Sequence, residues 1–248
     1  MGGLPGYDAC AQAMCGLMSV NGDADGSATR VGLPVVDMVT GLNAALAILM
    51  AMNERQHSGK GQFLDITLFD CAISLLHPHA ANYLLSGKVP QRTGNAHPNI
   101  APYDSFPTGE GEIFLAIGNN RQFAVLMQAL GRSDLCDDPR FLDNAQRLQH
   151  RAELRTLLTS LLSLHRAEEL AQTLMTQGAP AAAVLNVEEL LDHPHTAHRG
   201  MVLEHEGYRA VATPIKLSRT PAALRRLPPA FGQHNAVIRK GWPSEATE

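Results

Sequence analysis

The chain alternates between segments whose apolar residues recur at helical spacing and short segments rich in Gly, Pro and Asn. The longest helical pattern runs from Met38 to Gln56 and predicts a largely buried helix. A shorter helix is predicted from Gly6 to Val20. Gly59 follows the long helix and is typical of a C-cap, because glycine tolerates the left-handed backbone of that position. The apolar positions of the long helix are Leu42, Ala45, Leu46, Leu49, Met50 and Met52.

Beyond Gly61 the pattern indicates α/β alternation. Gln62 to Leu68 is predicted as a strand, and helical spacing resumes from Phe69 to Leu85. Gly87 to Pro102 is rich in turn-forming residues and indicates a linker or a change of domain.

The second half of the chain has a different texture. A turn at 109–111 precedes a strand from Ile113 to Ile117 and a helix from Gln122 to Leu130. Two further helices are predicted from Arg151 to Leu164 and from Arg166 to Gln177. The remaining short elements are strands at Ala182–Leu185, Met201–Glu204 and Ala210–Ala212 and a helix at Val187–Leu191.

These patterns predict an α/β protein with three regions. We place them at residues 1–90, 91–190 and 191–248, the last ending in a Pro-rich and Arg-containing tail. No internal repeat or long low-complexity segment is present, which excludes solenoid and disordered classes.

Composition and charge restrict the function classes. The chain has 248 residues, 45% of them hydrophobic, and a net charge of −4 without a basic cluster, so no nucleic-acid partner is expected. The apolar stretch from Ala44 to Met52 is too short to span a bilayer, and no signal peptide is recognisable. Four cysteines without a CxxC pair indicate reduced side chains. We therefore expect a cytoplasmic protein without a membrane partner.

Asp37 is the candidate catalytic residue. It lies between the apolar run that begins at Val31 and the long helix, where a carboxylate can accept backbone N–H bonds and interact with the helix dipole. Such a carboxylate is held in place and ionised, as a nucleophile requires. The alternative is that Asp37 serves only as the helix N-cap.

Many short motifs occur along the chain in one order, and together they are more specific than any one of them. These motifs are Gly6-Tyr7-Asp8, Val31 to Gly41, Ser58 to Gln62, Asp65, Asp70, Arg92, Gly94-Asn95, His97-Pro98, Ala101-Pro102-Tyr103, Gly118-Asn119-Asn120 with Gln122-Phe123, Asp138 to Phe141, Asn144, Arg147, Leu227-Pro228-Pro229 and Gly232-Gln233-His234. With these motifs the chain resembles, over essentially its whole length, the class III coenzyme A transferases of the CaiB/BaiF type, which include formyl-CoA transferase and succinyl-CoA:glutarate CoA-transferase.

This resemblance implies a covalent mechanism at Asp37. The carboxylate attacks an acyl-CoA thioester to give a mixed anhydride, CoA returns to form an aspartyl-CoA thioester, and a small carboxylic acid then accepts the CoA. It also implies that Tyr7 lies near the thioester and that Gly118, Asn119 and Asn120 form a substrate-binding lid. In that lid, Gly118 permits a positive φ, and backbone N–H groups or Asn amides are the candidate donors to an oxyanion. No metal or redox cofactor is implied, and CoA esters are substrates.

Local sequence leaves other interpretations open. Tyr7 fits a core aromatic residue equally well, and Gly118 to Asn120 fits an ordinary turn. Arg30 is a candidate for binding an acceptor carboxylate or a solvated surface residue. His97 is a candidate for orienting substrate or a turn histidine. The histidines at positions 193, 195 and 198 have metal-like spacing, but without a partnered carboxylate we do not expect a metal site.

The resemblance further implies a Rossmann-like parallel-sheet large domain, a smaller α+β domain and an interlocked homodimer. Family members have an additional N-terminal segment that contacts the CoA nucleotide, and the present match begins after it. Three hypotheses follow. CoA transfer is favoured over a 2-methylacyl-CoA racemase, because Val36-Asp37-Met38 replaces the racemases' Gly-Asp-Phe-Gly segment. The third is a non-catalytic remnant or a subunit that requires a separate N-terminal half.

Overall fold

The computed structural model describes residues 5–241 of the chain. The chain divides into two compact units, Met1–Val184 and Leu185–Glu248. Helices of the first unit are α1 (Asp8–Met14), α2 (Leu17–Val20), α3 (Val35–Ser58), α4 (Leu68–Ser74), α5 (His79–Ser86), α6 (Asn120–Ala129), α7 (Asn144–Gln149), α8 (Arg151–Leu162) and α9 (Ala167–Thr176), with a 3₁₀ helix at Ser133–Cys136. Its strands are β1 (Tyr103–Pro107), β2 (Glu112–Ala116) and β3 (Ala181–Ala183).

Two helices predicted as continuous are each divided in two. The predicted helix from Gly6 to Val20 forms α1 and α2, because Gly16 between them has a φ of 91°, which an α-helix cannot contain. The predicted helix from Phe69 to Leu85 forms α4 and α5. Pro78 precedes α5, and proline disfavours the α conformation of the residue before it.

The helix α3 begins three residues earlier than predicted and has 24 residues. Gly59 confirms the predicted C-cap, since its φ is 73° and its N–H donates to the Arg55 carbonyl at 2.8 Å. The expected burial is wrong: Val36 is the only buried residue of this helix. Periodicity shows that a helix has an apolar face but does not show what covers that face. Apolar side chains of α3 that are 50–69% exposed are Met38, Leu42, Leu46, Ile48, Leu49, Met50 and Met52.

The length of α3 bears on the expectation of no membrane partner. The helix has 24 residues, is largely apolar and is mostly exposed, so by length and composition it could cross a bilayer. The core helix of a soluble protein passes the same test, which makes this a weak indication.

The predicted strand from Gln62 to Leu68 does not form. Residues 61–67 have no regular secondary structure, and α4 begins at Leu68 after Thr67 accepts a hydrogen bond from the Asp70 N–H. A β-strand is stabilised by hydrogen bonds to a neighbouring strand, and none of the described residues pairs with this segment. The apolar pattern of a strand is therefore present without its partner.

An antiparallel sheet of order β1-β2-β3 forms the centre of the second half of this unit. The predicted strands at Ile113–Ile117 and Ala182–Leu185 correspond to β2 and β3, whereas β1 was not predicted because its sequence has no clear apolar alternation. Gly109 precedes β2 in the predicted turn. A Cβ atom there would lie 2.7 Å from the Ser163 carbonyl oxygen, so this position requires glycine.

Helices α6, α8 and α9 enclose a hydrophobic core with this sheet, confirming the three predicted helices within a few residues. Each contributes side chains that are almost completely buried. Core residues that are fully buried include Ile113, Leu115, Leu126, Leu158, Leu162 and Leu174. Burial of several large apolar side chains in one cluster is the main source of stability for this region.

The second unit contains short elements. They are α10 (Val187–Asp192), α11 (Pro194–His198), β4 (Val202–His205), β5 (Tyr208–Val211) and α12 (Asn235–Arg239). Of these, α10, β4 and β5 lie close to predicted ones, whereas α11 and α12 were not predicted. Strands β4 and β5 pair as a hairpin whose two-residue turn has positive φ at both Glu206 and Gly207. The last seven residues of the predicted C-terminal segment lie outside the described residues.

The fold is thus mixed α/β with two small sheets. Among residues 5–241 the strands pair antiparallel, and the parallel contact is one isolated bridge between Glu110 and Arg166. The Rossmann-like parallel sheet, the interlocked dimer and the division at residues 90 and 190 stay predictions.

Candidate active site

Asp37 is the third residue of α3 and is exposed to solvent. The helix N-cap is Pro34, so the interpretation of Asp37 as the N-cap is wrong. Its carboxylate nevertheless lies in the first turn, where unpaired backbone N–H groups give a helix a partial positive charge.

The carboxylate that caps α3 belongs to Asp8, 29 residues earlier in the chain than Asp37. Oδ1 of Asp8 accepts hydrogen bonds from the N–H groups of Val36, at 2.8 Å, and of Asp37, at 3.1 Å. Asp8 is 8% exposed, and these bonds compensate for the burial of its charge.

Gln12 lies one turn beyond Asp8 on α1 and is completely buried. Its Nε2 donates to Oδ2 of Asp8 at 2.6 Å, and its Oε1 accepts from the N–H of Val31 at 2.8 Å. The two side chains therefore connect α1 both to the start of α3 and to the segment that leads into it.

The other N–H groups of the first turn also have partners. The Val35 N–H donates to the Leu33 carbonyl at 2.8 Å, and the Met38 N–H donates to the Pro34 carbonyl at 3.0 Å. The expectation that Asp37 accepts backbone N–H bonds is therefore wrong, because other groups accept them all. Within residues 5–241, the Asp37 carboxylate has no hydrogen-bond partner.

Tyr7 immediately precedes Asp8 and is the N-cap residue of α1. Its side chain is 77% exposed, so it is not a core aromatic residue. Because Asp8 bonds to the first turn of α3, Tyr7 is held near the same helix end as Asp37. This arrangement is compatible with the predicted role of Tyr7 near a thioester, which stays a prediction.

The Gly118-Asn119-Asn120 loop joins β2 to α6. Asn119 is the N-cap of α6 and accepts from the Gln122 N–H at 3.0 Å, while Gln122 Oε1 accepts from the Gly118 N–H at 2.8 Å. The Gly118 N–H is thus already bonded, and Gly118 does not use the positive φ that glycine permits. The loop does form a turn with a cap, as its alternative interpretation held.

Asn120 is fixed by a residue that the sequence did not assign a role. The buried guanidinium of Arg147 donates to Asn120 Oδ1, to the Ala101 carbonyl and to the Phe141 carbonyl at 2.8–2.9 Å. It also lies 4.6 Å from the centre of the Phe123 ring. Burial lowers the pKa of Arg147 below its usual value. The Asn120 amide therefore has a fixed orientation that leaves its NH₂ group available.

The structure connects some of the predicted site residues but not all. Tyr7 and Asp37 lie at one helix end through Asp8, whereas Gly118 to Asn120 lie at the end of β2. No hydrogen bond or ion pair among residues 5–241 joins these two groups. Whether the loop acts as a lid over Asp37 stays a prediction.

The remaining candidates have structural partners. The exposed Arg30 donates to the Val31 carbonyl at 3.1 Å. The His97 ring packs on Tyr103, and its pKa is lowered by burial first and then by nearby positive charges. His193 caps α11 by accepting the His195 N–H at 3.1 Å.

Sites for other ligands are limited within the described chain. Residues 5–241 contain no group of three His, Cys, Asp or Glu side chains able to hold a metal ion. A polar groove carries the guanidinium groups of Arg92, Arg151 and Arg155, whose charge suits phosphate or carboxylate. Arg155 is paired with Asp104, and Arg92 bonds to carbonyls of Asp23 and Gly26.

Asp8, Gln12 and Arg147 were not identified as functional by sequence reasoning. A detectable signal was present for the first two, since polar residues four apart on an otherwise apolar helical face indicate a buried contact. Their partners lie about 20 to 30 residues away, so the contacts themselves were not predictable from spacing.

Comparison with known proteins identifies the family of the chain. The profile of CoA-transferase family III matches residues 2–235, and the chain belongs to this family. It is 36% identical over 238 residues to succinate–glutarate CoA-transferase from Agrobacterium fabrum, covering 94% of this chain and 60% of that protein. It is 34% identical to succinyl-CoA:glutarate CoA-transferase from Mus musculus, covering 95% of this chain and 55% of that protein.

A solved structure is also similar. The crystal structure of a CaiB/BaiF family protein from Brucella suis matches with a TM-score of 0.80 and 37% identity, covering 95% of this chain and 62% of that one. The chain thus spans 55–62% of the length of these three relatives.

Proposed function

We propose that the protein transfers coenzyme A from an acyl-CoA donor to a small carboxylic acid, with Asp37 as the nucleophile. The observation that carries this proposal is the exposed Asp37 carboxylate in the first turn of α3, without a hydrogen-bond partner among the described residues. Membership of CoA-transferase family III supports the reaction class.

The proposed reaction has four exchange steps. An oxygen of Asp37 attacks the thioester carbonyl, the C–S bond breaks, and the products are a mixed anhydride and CoA thiolate. The thiolate attacks the aspartyl carbonyl, which releases the donor acid and leaves an aspartyl-CoA thioester. The acceptor carboxylate then attacks this thioester, the C–S bond breaks, and the products are a second anhydride and CoA thiolate. In the last step the thiolate attacks the acceptor carbonyl of that anhydride, which forms the acceptor acyl-CoA and releases the Asp37 carboxylate.

No step of this reaction changes an oxidation state or the total charge. Each step exchanges one acyl bond for another, so we expect no redox cofactor or metal. The intermediates hydrolyse in water, and a surface that covers Asp37 during turnover is therefore required. We propose that the Gly118 to Asn120 loop is this covering surface. The NH₂ groups of Asn119 and Asn120 would then donate hydrogen bonds to developing oxyanions.

The partners proposed are an acyl-CoA and a small carboxylic acid. Several similar proteins are named for succinyl-CoA, which makes succinyl-CoA the first donor to use as a probe. A homodimer, or pairing with a separately encoded N-terminal half, and a cytoplasmic location stay predictions.

The test is mass spectrometry of the full 248-residue chain after incubation with succinyl-CoA and hydroxylamine, in which the intact mass counts the modifications and peptide mapping locates them. We expect a hydroxamate confined to Asp37, and Asp37→Asn should lower its formation by at least about 10³-fold. Asp70 is an internal comparison, because it is also an exposed aspartate at the third position of a helix, α4.

Two results would contradict the proposal. Equal labelling of Asp37 and Asp70 would show that the modification is unselective. Solvent deuterium entering the α-carbon of a 2-methylacyl-CoA without any covalent adduct would support the isomerase instead.

A further inference from the structure

We propose that Asp8 and Gln12 are positioning residues which keep the Asp37 carboxylate free to react. This inference rests on the proposed function of Asp37. Asp8 would act by accepting the N–H groups that Asp37 would otherwise accept, and Gln12 would hold Asp8 in the orientation that this requires.

The start of α3 has backbone N–H groups without acceptors inside the helix. The first N–H groups of a helix have no partner inside the helix and bond to the nearest acceptor. A carboxylate at the third helical position is such an acceptor, and in a capping box it reaches back to the N-cap N–H. At α3 that route is closed, because the N-cap residue is Pro34, which has no N–H.

The N–H groups of Val36 and Asp37 both bond to Asp8. Oδ1 of Asp8 accepts from both Val36 and Asp37, at 2.8 and 3.1 Å. With these two donors engaged, the Asp37 side chain has no local backbone donor to fold back on. A carboxylate that accepts fewer hydrogen bonds is a better nucleophile, since those bonds must be broken as it attacks.

Gln12 holds the orientation of the Asp8 carboxylate. Its Oδ2 accepts from Gln12 Nε2 at 2.6 Å, and Gln12 itself is held by the Val31 N–H at 2.8 Å. Both side chains are buried, so neither exchanges these partners readily for water. Asp8 and Gln12 form a clamp between α1 and the start of α3, and this clamp determines where the Asp37 backbone lies.

The orientation of the Asp8–Gln12 bond provides a specific test. In Asp8→Asn the new amide NH₂ faces the Gln12 NH₂, so two donors meet and the clamp breaks. In Gln12→Glu two carboxylates face each other. The double variant Asp8→Asn with Gln12→Glu restores a donor facing an acceptor, keeps the net charge, and leaves acceptors for the N–H groups of Val31, Val36 and Asp37.

The experiment compares the full-length wild type, the two single variants and the double variant. We expect each single variant to form the Asp37 adduct with succinyl-CoA roughly 10–100-fold more slowly, because small displacements of a nucleophile cost that much. The dissociation constant for succinyl-CoA should stay within about twofold, since the Asp8 and Gln12 side chains are buried away from solvent. The double variant should regain most of the rate.

Asp143→Asn is the matched control. Asp143 also caps a helix, α7, where its Oδ1 accepts the Gln146 N–H at 2.9 Å. Its replacement should leave the adduct rate unchanged. Wild-type reactivity of Asp8→Asn would overturn the proposal. So would a double variant whose Val36 and Asp37 amides regain protection from hydrogen exchange while Asp37 stays unreactive.

A second measurement separates this proposal from the proposed function. Carbodiimide-driven coupling of an amine to Asp37 measures the availability of the carboxylate without any CoA ester. If the wild type forms no CoA adduct, the proposed function fails for this chain, and the coupling decides alone. Slower coupling in Asp8→Asn with recovery in the double variant supports the clamp, whereas equal coupling in all four proteins overturns it.

Discussion

The helical region before residue 90 and the sheet-containing region after it differ in how their apolar residues are used. Around the sheet, nineteen buried apolar residues form one core, from Phe106 to Ala181. Around α3, the described cluster has four, namely Ala11, Cys15, Val36 and Ala72. Both regions have well-formed helices, so helix formation and core formation are separate consequences of the sequence.

The candidate nucleophile lies in the region with the smaller core. There the start of α3 is held by hydrogen bonds of buried polar side chains, Asp8 and Gln12, more than by apolar packing. The exposed apolar face of α3 is typical of a surface that contacts another apolar surface. In the other region, packing and a buried arginine together fix the Asn120 loop.

The largest effect that would test this contrast is expected for Arg147→Met. Removing the guanidinium leaves the Ala101 and Phe141 carbonyls and Asn120 Oδ1 without a donor in a buried site. Unsatisfied buried acceptors cost about 1–3 kcal/mol each and are not additive, so we expect a loss of about 3–5 kcal/mol. Amide hydrogen exchange in β2 and α8 measures it.

Arg132→Met is the control for this substitution. Arg132 is partly exposed and pairs with the exposed Asp134, so its loss should cost far less than the loss of Arg147, because solvent screens the pair. Equal effects of the two substitutions would show that the buried network of Arg147 does not stabilise this region.

An intermediate effect on stability is expected when a leucine is replaced by alanine in each of the two regions. Leu158→Ala opens a cavity in the core and should cost about 2–5 kcal/mol, because Leu158 is completely buried. Leu46→Ala in α3 removes a side chain that is 55% exposed and should change stability by less than about 0.5 kcal/mol. Protection of amides in α8 and α3 measures each change locally.

A large loss for Leu46→Ala would break the comparison. It would mean that α3 is buried in solution against a surface outside the described contacts, and sedimentation of the two variants would then show whether that surface belongs to another copy.

The elements with both a local pattern and a local partner could be predicted from the sequence. Helices α8 and α9 and strand β2 appear where periodicity placed them, since their apolar faces meet one core. The strand at 62–68 had the right pattern without a neighbouring strand. Local sequence fixes which residues are apolar, but a strand or a buried helix also needs a surface to pack against.

The candidate site shows the same limit for polar residues. Asp37 was located at the start of α3 from its position before an apolar helix. Its lack of partners was not predictable, because it depends on Asp8, which reaches α3 from a separate helix. The role of Arg147 likewise depends on carbonyls of distant segments, and no spacing rule indicates them.

The smallest effect is expected at the surface of the sheet-containing region, where Arg140 bonds to Asp138 at 2.7 Å. These hydrogen bonds lower the pKa of Asp138 from 3.8 to about 2. Because the folded-state pKa is below the unfolded value, the pair stabilises the fold above about pH 3.8. That contribution is lost as the pH falls through about 2.

Carboxyl NMR titration of Asp138 measures this pKa directly. Arg140→Gln should return it towards 3.8, whereas Arg132→Gln, which removes a different surface pair, should leave it unchanged. The stability change should be smaller than for any substitution above, since solvent screens an exposed pair. An Asp138 pKa that is unchanged in Arg140→Gln would place the cause in the backbone of the turn rather than in the ion pair.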